Sequence, residues 1–326
     1  MKTFRFVLLM LFSVFAVSAN SEANSGPIAY SVNSDSGSAA PTTDSLWSID
    51  LATGIEQRKG ELFTGIETRL DTEGLAFAPD GTLWGVDDDS LTIFPINPET
   101  GTVNYGEEVQ LQGFPELGGN DFGMTFTCDG GPFVTSVRTQ TLYRIDLTDG
   151  SREAIGGEGA LGVNISAIAA YGNPVKMYGL GNGQLENGQT DSPNLYQIDL
   201  QTGVATLIGP LGAAAGAYAQ GGLAFDGDGN LWAITDRTII DNQIADLPSQ
   251  ILKIDTTTGT ATLVSETTAE TGFESLAIVP PAACDVQPVQ PSEDYPRLPT
   301  LGRLGNILLI GLLLVTAIAG LRKRIS

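Results

Sequence analysis

The chain repeats itself through its middle, and that repeat limits the fold more than any other feature. Leu46 to Gly54 reads LWSIDLATG. The same strand-and-turn signature returns at Leu142 to Gly150, Leu195 to Gly203 and Ile251 to Gly259, with a weaker copy at Ile93 to Gly101. The isoleucines of the Ile-Asp step, Ile-Asn in the weaker copy, fall at 49, 96, 145, 198 and 254, so the steps are 47, 49, 53 and 56 residues. A second signature alternates with the first. Gly74 to Trp84 (GLAFAPDGTLW) matches Gly222 to Trp232 (GLAFDGDGNLW), with looser copies from Gly123 to Phe133 and from Ser166 to Tyr178. A last copy, Ser275 to Ile278, stops after one strand.

Each unit holds short β-rich segments of alternating polarity, joined by Asp-Gly or Thr-Gly turns. Four antiparallel strands in a period near 50 residues are the mark of a propeller blade. A β-solenoid usually repeats over fewer residues. The expected fold is all-β: a five-bladed β-propeller over residues 26–279. The first unit opens on its second strand, Ile28 to Val32, so its missing first strand is expected from Phe273 to Val279. The C-terminal strand would then close the ring and remove two sheet edges.

The two ends read as addresses. Residues 1–19 have the form of a signal peptide: Lys2 and Arg5, an apolar run from Phe6 to Val17, then small residues at Ser18 and Ala19. Residues 280–297 are a Pro-rich linker, expected to be extended. Leu304 to Leu321 carries no charge and is long enough for a transmembrane helix, and Arg322, Lys323 and Arg324 follow it. The basic cluster places the C-terminus in the cytoplasm and the propeller outside. The expected state is an exported protein, anchored in the membrane through this helix and facing the periplasm or cell surface.

Just before that span, Leu298, Pro299, Thr300, Leu301 and Gly305 resemble the IPTL-CTERM sorting signal of bacterial surface proteins. Pro299, Thr300, Leu301 and Gly305 match it, and Leu298 replaces its isoleucine. The resemblance covers residues 298–326. It implies an exosortase-type transpeptidase as partner, with the propeller passed to the cell surface.

Composition narrows the chemistry. The chain has 326 residues and no histidine, which excludes a Ser-His-Asp triad and any imidazole ligand. Its 38 acidic residues against 16 basic give a net charge of −22, so nucleic acid is not an expected partner. In a blade, the first strand begins and the second strand ends on one face near the axis. First-strand starts offer Glu73 and Glu274, with Asp121 close by, and second-strand ends offer Asn33, Asp88, Asn182 and Asp236. Oxygen donors from several blades could ring one mouth and hold a hard cation, Ca²⁺ for example. The competing reading is that they cap the sheets and face water. Within Asp87-Asp88-Asp89, a solvated strand end, Asp88 is the member expected to look inward. Asp226 to Asn230 reads as a turn, and Trp84 and Trp232 as packing between blades. Cys128 and Cys284 would both lie outside the membrane, where thiols oxidise, and are placed to form a disulfide.

The repeats resemble bacterial propellers of unassigned function and, more distantly, NHL and gluconolactonase-like propellers. The latter hold a metal with Glu, Asn and Asp drawn from different blades. The expected function is a non-catalytic binding or adhesion module for an extracellular ligand, because no nucleophile–base motif is present. The alternatives are a metal-dependent lactonase-type hydrolase and a structural envelope or matrix component.

Overall fold

The structure is a computed structural model, and it describes residues 26–34, 44–104, 106–115, 119–185 and 187–279. The signal peptide, linker, sorting motif and apolar span expected at the ends lie outside the described residues. No helix among the described residues is long and apolar enough to cross a membrane.

The described residues form five four-stranded antiparallel sheets. Blade 1 holds β1 (Ile28–Val32), β2 (Ser45–Asp50) and β3 (Glu56–Glu61). Blade 2 is β4 (Thr72–Phe77), β5 (Leu83–Asp87), β6 (Thr92–Ile96) and β7 (Val109–Gln110). Blade 3 is β8 (Phe122–Phe126), β9 (Pro132–Ser136), β10 (Thr141–Ile145) and β11 (Arg152–Ala154). Blade 4 is β12 (Ile165–Tyr171), β13 (Lys176–Gly181), β14 (Asn194–Ile198) and β15 (Ala205–Pro210). Blade 5 is β16 (Gly221–Phe225), β17 (Leu231–Thr235), β20 (Gln250–Ile254) and β21 (Ala261–Glu266), interrupted by a hairpin of β18 (Ile239–Ile240) and β19 (Gln243–Ile244). The last strand, β22 (Ala277–Val279), completes blade 1, with Ile28 opposite Val279 and Tyr30 opposite Ala277. The closing strand is thus shorter than the expected Phe273 to Val279. Phe273 and Leu276 instead bury their side chains between blades 5 and 1, with Trp47 and Trp232.

The Ile-Asp-x-x-Thr-Gly repeat has a local cause. In the turn after β2, the Asp50 carboxylate accepts the N–H groups of Ala52 (2.9 Å) and Thr53 (3.1 Å), an Asx turn that stops the strand. The chain then reverses through Gly54 at φ 71°, where a side chain is strained. The same glycine touches the neighbouring blade. A Cβ on Gly54 would sit 1.8 Å from the carbonyl oxygen of Glu266, and one on Gly203 would sit 2.1 Å from that of Ile155. The repeat is therefore a docking turn as well as a strand end, pressed against the outer edge of the preceding blade.

At the axis the inner strands converge. A Cβ on Gly123 would lie 2.7 Å from Ala167 Cα on the next inner strand, and one on Gly222 would lie 2.4 Å from the carbonyl carbon of Ser275, in the segment that leads into β22. Only a small residue lets five blades meet so closely. The axial cavity that remains measures about 10 Å³, room for one water. Around it, the apolar side chains of facing sheets form the core. Trp84 packs on Phe126 of the next blade at 6.3 Å between ring centroids. Trp232 is buried with Trp47 and Ile278 of blade 1.

Asp226 forms a turn. Its carboxylate accepts N–H groups of Asp228 (3.0 Å) and Asn230 (2.8 Å) and the Trp232 indole N–H (2.8 Å). Cys128 lies in the turn between β8 and β9 and is disulfide-bonded. The chain's other cysteine, Cys284, lies outside the described residues.

Candidate functional site

One mouth of the ring collects the polar residues. Asn33, Asp88, Asn182 and Asp236 each stand one residue beyond the second strand of their blades, and all four are buried. Main-chain bonds fix that position. Asp88 N–H donates to Asp71 O (2.9 Å), Asn182 N–H to Asn164 O (3.2 Å) and Asp236 N–H to Gln220 O (2.9 Å). The residues just before the first strands, Asp71, Asn164 and Gln220, thus form a second polar set at equivalent places. Their shared position in the repeat, polar each time, was the signal for Asp71.

Glu73 is aimed by a bulge. Thr72 pairs with Asp87 and Gly74 with Val86, so Glu73 is an extra residue without a partner in the ladder. Its Oε2 accepts the N–H of Phe122, the first residue of the next inner strand, at 2.5 Å. Ligand oxygens of Asp71, Glu73 and Asp88 lie within 4.8 Å of one another. Burial first, then the negative charges of Asp121, Glu274, Asp71 and Asp88, push the Glu73 carboxyl well above the ordinary carboxylate range. The Glu274 carboxylate, buried on the closing segment, accepts the Ser34 hydroxyl.

Several of these oxygens already have work. Asp88 accepts the N–H of Asn120 (2.9 Å) and its side-chain amide (2.7 Å), tying blade 2 to blade 3. Asn33 Oδ1 accepts Ser45 N–H and the Trp47 indole N–H, both at 3.2 Å. Asp236 accepts the N–H and hydroxyl of Thr238, both at 3.0 Å. Asp87, expected to be solvated with its neighbours, is buried instead. It accepts N–H groups of Ser90 (2.8 Å) and Asp71 (3.0 Å), which close the ends of β5 and β4.

The six sequence candidates therefore divide. Glu73 and Asp88 meet with Asp71, and Glu274 acts on Glu73 through its charge. Asn182 and Asp236 line a separate cavity of about 570 Å³ over blades 3 to 5, which Asp121 also lines. Asn33 supports Trp47.

Two long connections wall that cavity. Blades 2 and 3 join their second and third strands through residues 88–91 and 137–140, whereas blade 1 uses 33–44, blade 4 uses 182–193 and blade 5 uses 236–249. The blade 5 connection contains the β18–β19 hairpin, whose Asp241 and Asn242 have φ of 51° and 58°, as a type I′ turn needs. Asp241 and Gln184 exchange two hydrogen bonds of 3.0 Å, joining the two connections.

Residues 18–154, less than half of the chain, match a family described as a repeat of unknown function (DUF6923). Among solved structures, a protein of unknown function from Bacteroides caccae is 11% identical, with a TM-score of 0.47 over 78% of this chain and 99% of that one. Virginiamycin B lyase from Staphylococcus aureus is 19% identical, with a TM-score of 0.38 over 68% of this chain. This chain spans 63% of that lyase's length. No curated protein matches the chain at a significant level.

Proposed function

We propose that this β-propeller is an exported, surface-anchored binding module without catalytic activity, and that its ligand enters the mouth over blades 3 to 5. The observation that carries this reading is the cavity of about 570 Å³ walled by the long connections of blades 4 and 5. Insertions on one face of a repeat array commonly form its binding face, and the volume falls within the usual range for ligand pockets.

The spent carboxylates support the same reading. A hydrolase needs an acid or base held ready for substrate. Here Asp88, Asp87 and Asp236 satisfy main-chain and side-chain donors that join strands and blades. The Asp71, Glu73 and Asp88 group suits a hard cation such as Ca²⁺, which takes oxygen ligands alone. Its function in this reading is to relieve the repulsion around Glu73 and stiffen the mouth. The sorting signal and apolar C-terminal segment support display at the cell surface, with an exosortase-type transpeptidase as the processing partner.

Calorimetry of the purified protein with CaCl₂, paired with turnover assays on simple lactones, tests the choice. The module is expected to turn over no lactone with or without metal, and Glu73→Gln is expected to weaken Ca²⁺ binding. Lactone hydrolysis that depends on metal and on Glu73 would establish the hydrolase instead.

A further inference from the structure

We propose that the rim built by the long connections of blades 4 and 5 is a docking face for a cationic amphipathic segment of a partner protein. This names a partner for the binding-module reading and rests on it. Ile244 is 79% exposed and Ile239 50%, and the two stand opposite each other in the β18–β19 ladder. Opposed residues share a face of the hairpin, so they form one apolar ridge. Leu185, exposed on the blade 4 connection, lines the cavity together with Ile239, so the apolar surface spans both connections. The fold holds the ridge out. The carbonyl of Thr238 accepts the N–H groups of Ala245 (2.7 Å) and Asp246 (3.0 Å), and the buried Asp236 carboxylate accepts the Thr238 N–H and hydroxyl. At the tip, Gly188 lets the two connections touch: a Cβ there would lie 2.8 Å from Asp241 Cα. A hairpin pinned at base and tip presents its isoleucines in one arrangement, so docking has little to order on this side.

Charge selects the occupant. The two connections contain Glu186, Asp191, Asp236, Asp241 and Asp246 against one basic residue, Arg237. Arg237 is engaged by the Glu266 carboxylate at 3.4 Å and the carbonyl of Ala217 at 3.3 Å. Asp191, Asp241 and Asp246 accept hydrogen bonds from the Asn164 amide (2.7 Å), the Gln184 amide (3.0 Å) and the Thr271 hydroxyl (2.6 Å). These are neutral groups, and they leave the negative charge in place. An apolar ridge set in a negative field suits a segment that places apolar side chains among lysines or arginines. A second copy of this chain would bring the same carboxylates to the interface, and an anionic lipid surface would meet the same repulsion.

The purified protein is titrated calorimetrically, at physiological salt, with an amphipathic Leu/Lys peptide, with its Leu/Glu counterpart, and with a Ser/Lys peptide of the same charge. Saturable binding of the Leu/Lys peptide alone is expected. Ile244→Ser, at an exposed position that folding tolerates, is expected to weaken it about tenfold. Asp241→Asn keeps an acceptor for Gln184 and removes one charge. It is expected to weaken binding several-fold and to make it less sensitive to salt. Four results would overturn the proposal: no saturable binding of the Leu/Lys peptide, equal binding of the Ser/Lys peptide, equal binding of the Leu/Glu peptide, or binding unchanged in both variants. A dimer in sedimentation that Ile244→Ser dissolves would put a second copy on this face instead. Small fragments found in the cavity while the Leu/Lys peptide does not bind would end this inference and leave the binding module standing. A protein that takes neither would end both.

Discussion

Glu73 shows how one residue couples the fold to its pH response. Its folded-state pKa lies above the ordinary value, because burial and four neighbouring carboxylates disfavour its charge. A carboxyl raised in this way favours the folded state when protonated. Its contribution is complete below the unfolded pKa of about 4.3 and is lost as pH rises towards the folded value. Thermal melts across that window should show Glu73→Gln losing less stability than the parent as pH rises, and Ca²⁺ should restore more stability to the parent than to the variant. Gly203 gives a second test at this scale. Its φ of 69° and the carbonyl of Ile155 both exclude a side chain. Gly203→Ala should cost about 1–3 kcal/mol, read as a lowered denaturation midpoint.

Strands and connections carry the next level. Asp88 links the end of β5 to Asn120 ahead of β8, so Asp88→Ala leaves a buried amide without its acceptor. A loss of about 1–3 kcal/mol in chemical denaturation without metal is expected. Much of this scale was legible in the repeat. Strand count, the turns that end the third strands and the four positions beyond the second strands all follow from local spacing, whereas the docking of those turns on the preceding blade appears only in the fold. The bulge at Glu73 was not legible, because it is a register slip against Asp87 and Val86, fixed only when β4 meets β5. Nor was the burial of Asp87, whose hydrogen bonds decide whether an acid in an acidic run faces water or closes a strand end.

At the scale of the molecule, closure of the ring is the organising event. β22 supplies the inner strand of blade 1, and Glu56 in β3 binds the segment after β21. Glu56 Oε1 accepts N–H groups of Thr268 (3.1 Å), Ala269 (2.5 Å) and Glu270 (2.8 Å). Burial alone would raise its pKa, but these bonds and the Thr268 hydroxyl outweigh it and hold the carboxyl below the ordinary value. Its stabilising effect is therefore present above the unfolded pKa and lost as pH falls through the folded one. Glu56→Gln should flatten the acid limb of the stability profile, the opposite limb from Glu73→Gln. The closed ring then holds the cavity over blades 3 to 5 as a preformed site. Crystals soaked in a mixture of small polar fragments, neutral and cationic, test that claim most directly. The account predicts fragment density in the cavity lined by Asn182, Asp121 and Asp236. An empty mouth, with fragments gathered instead along the outer groove by Asp129 and Arg144, would contradict it.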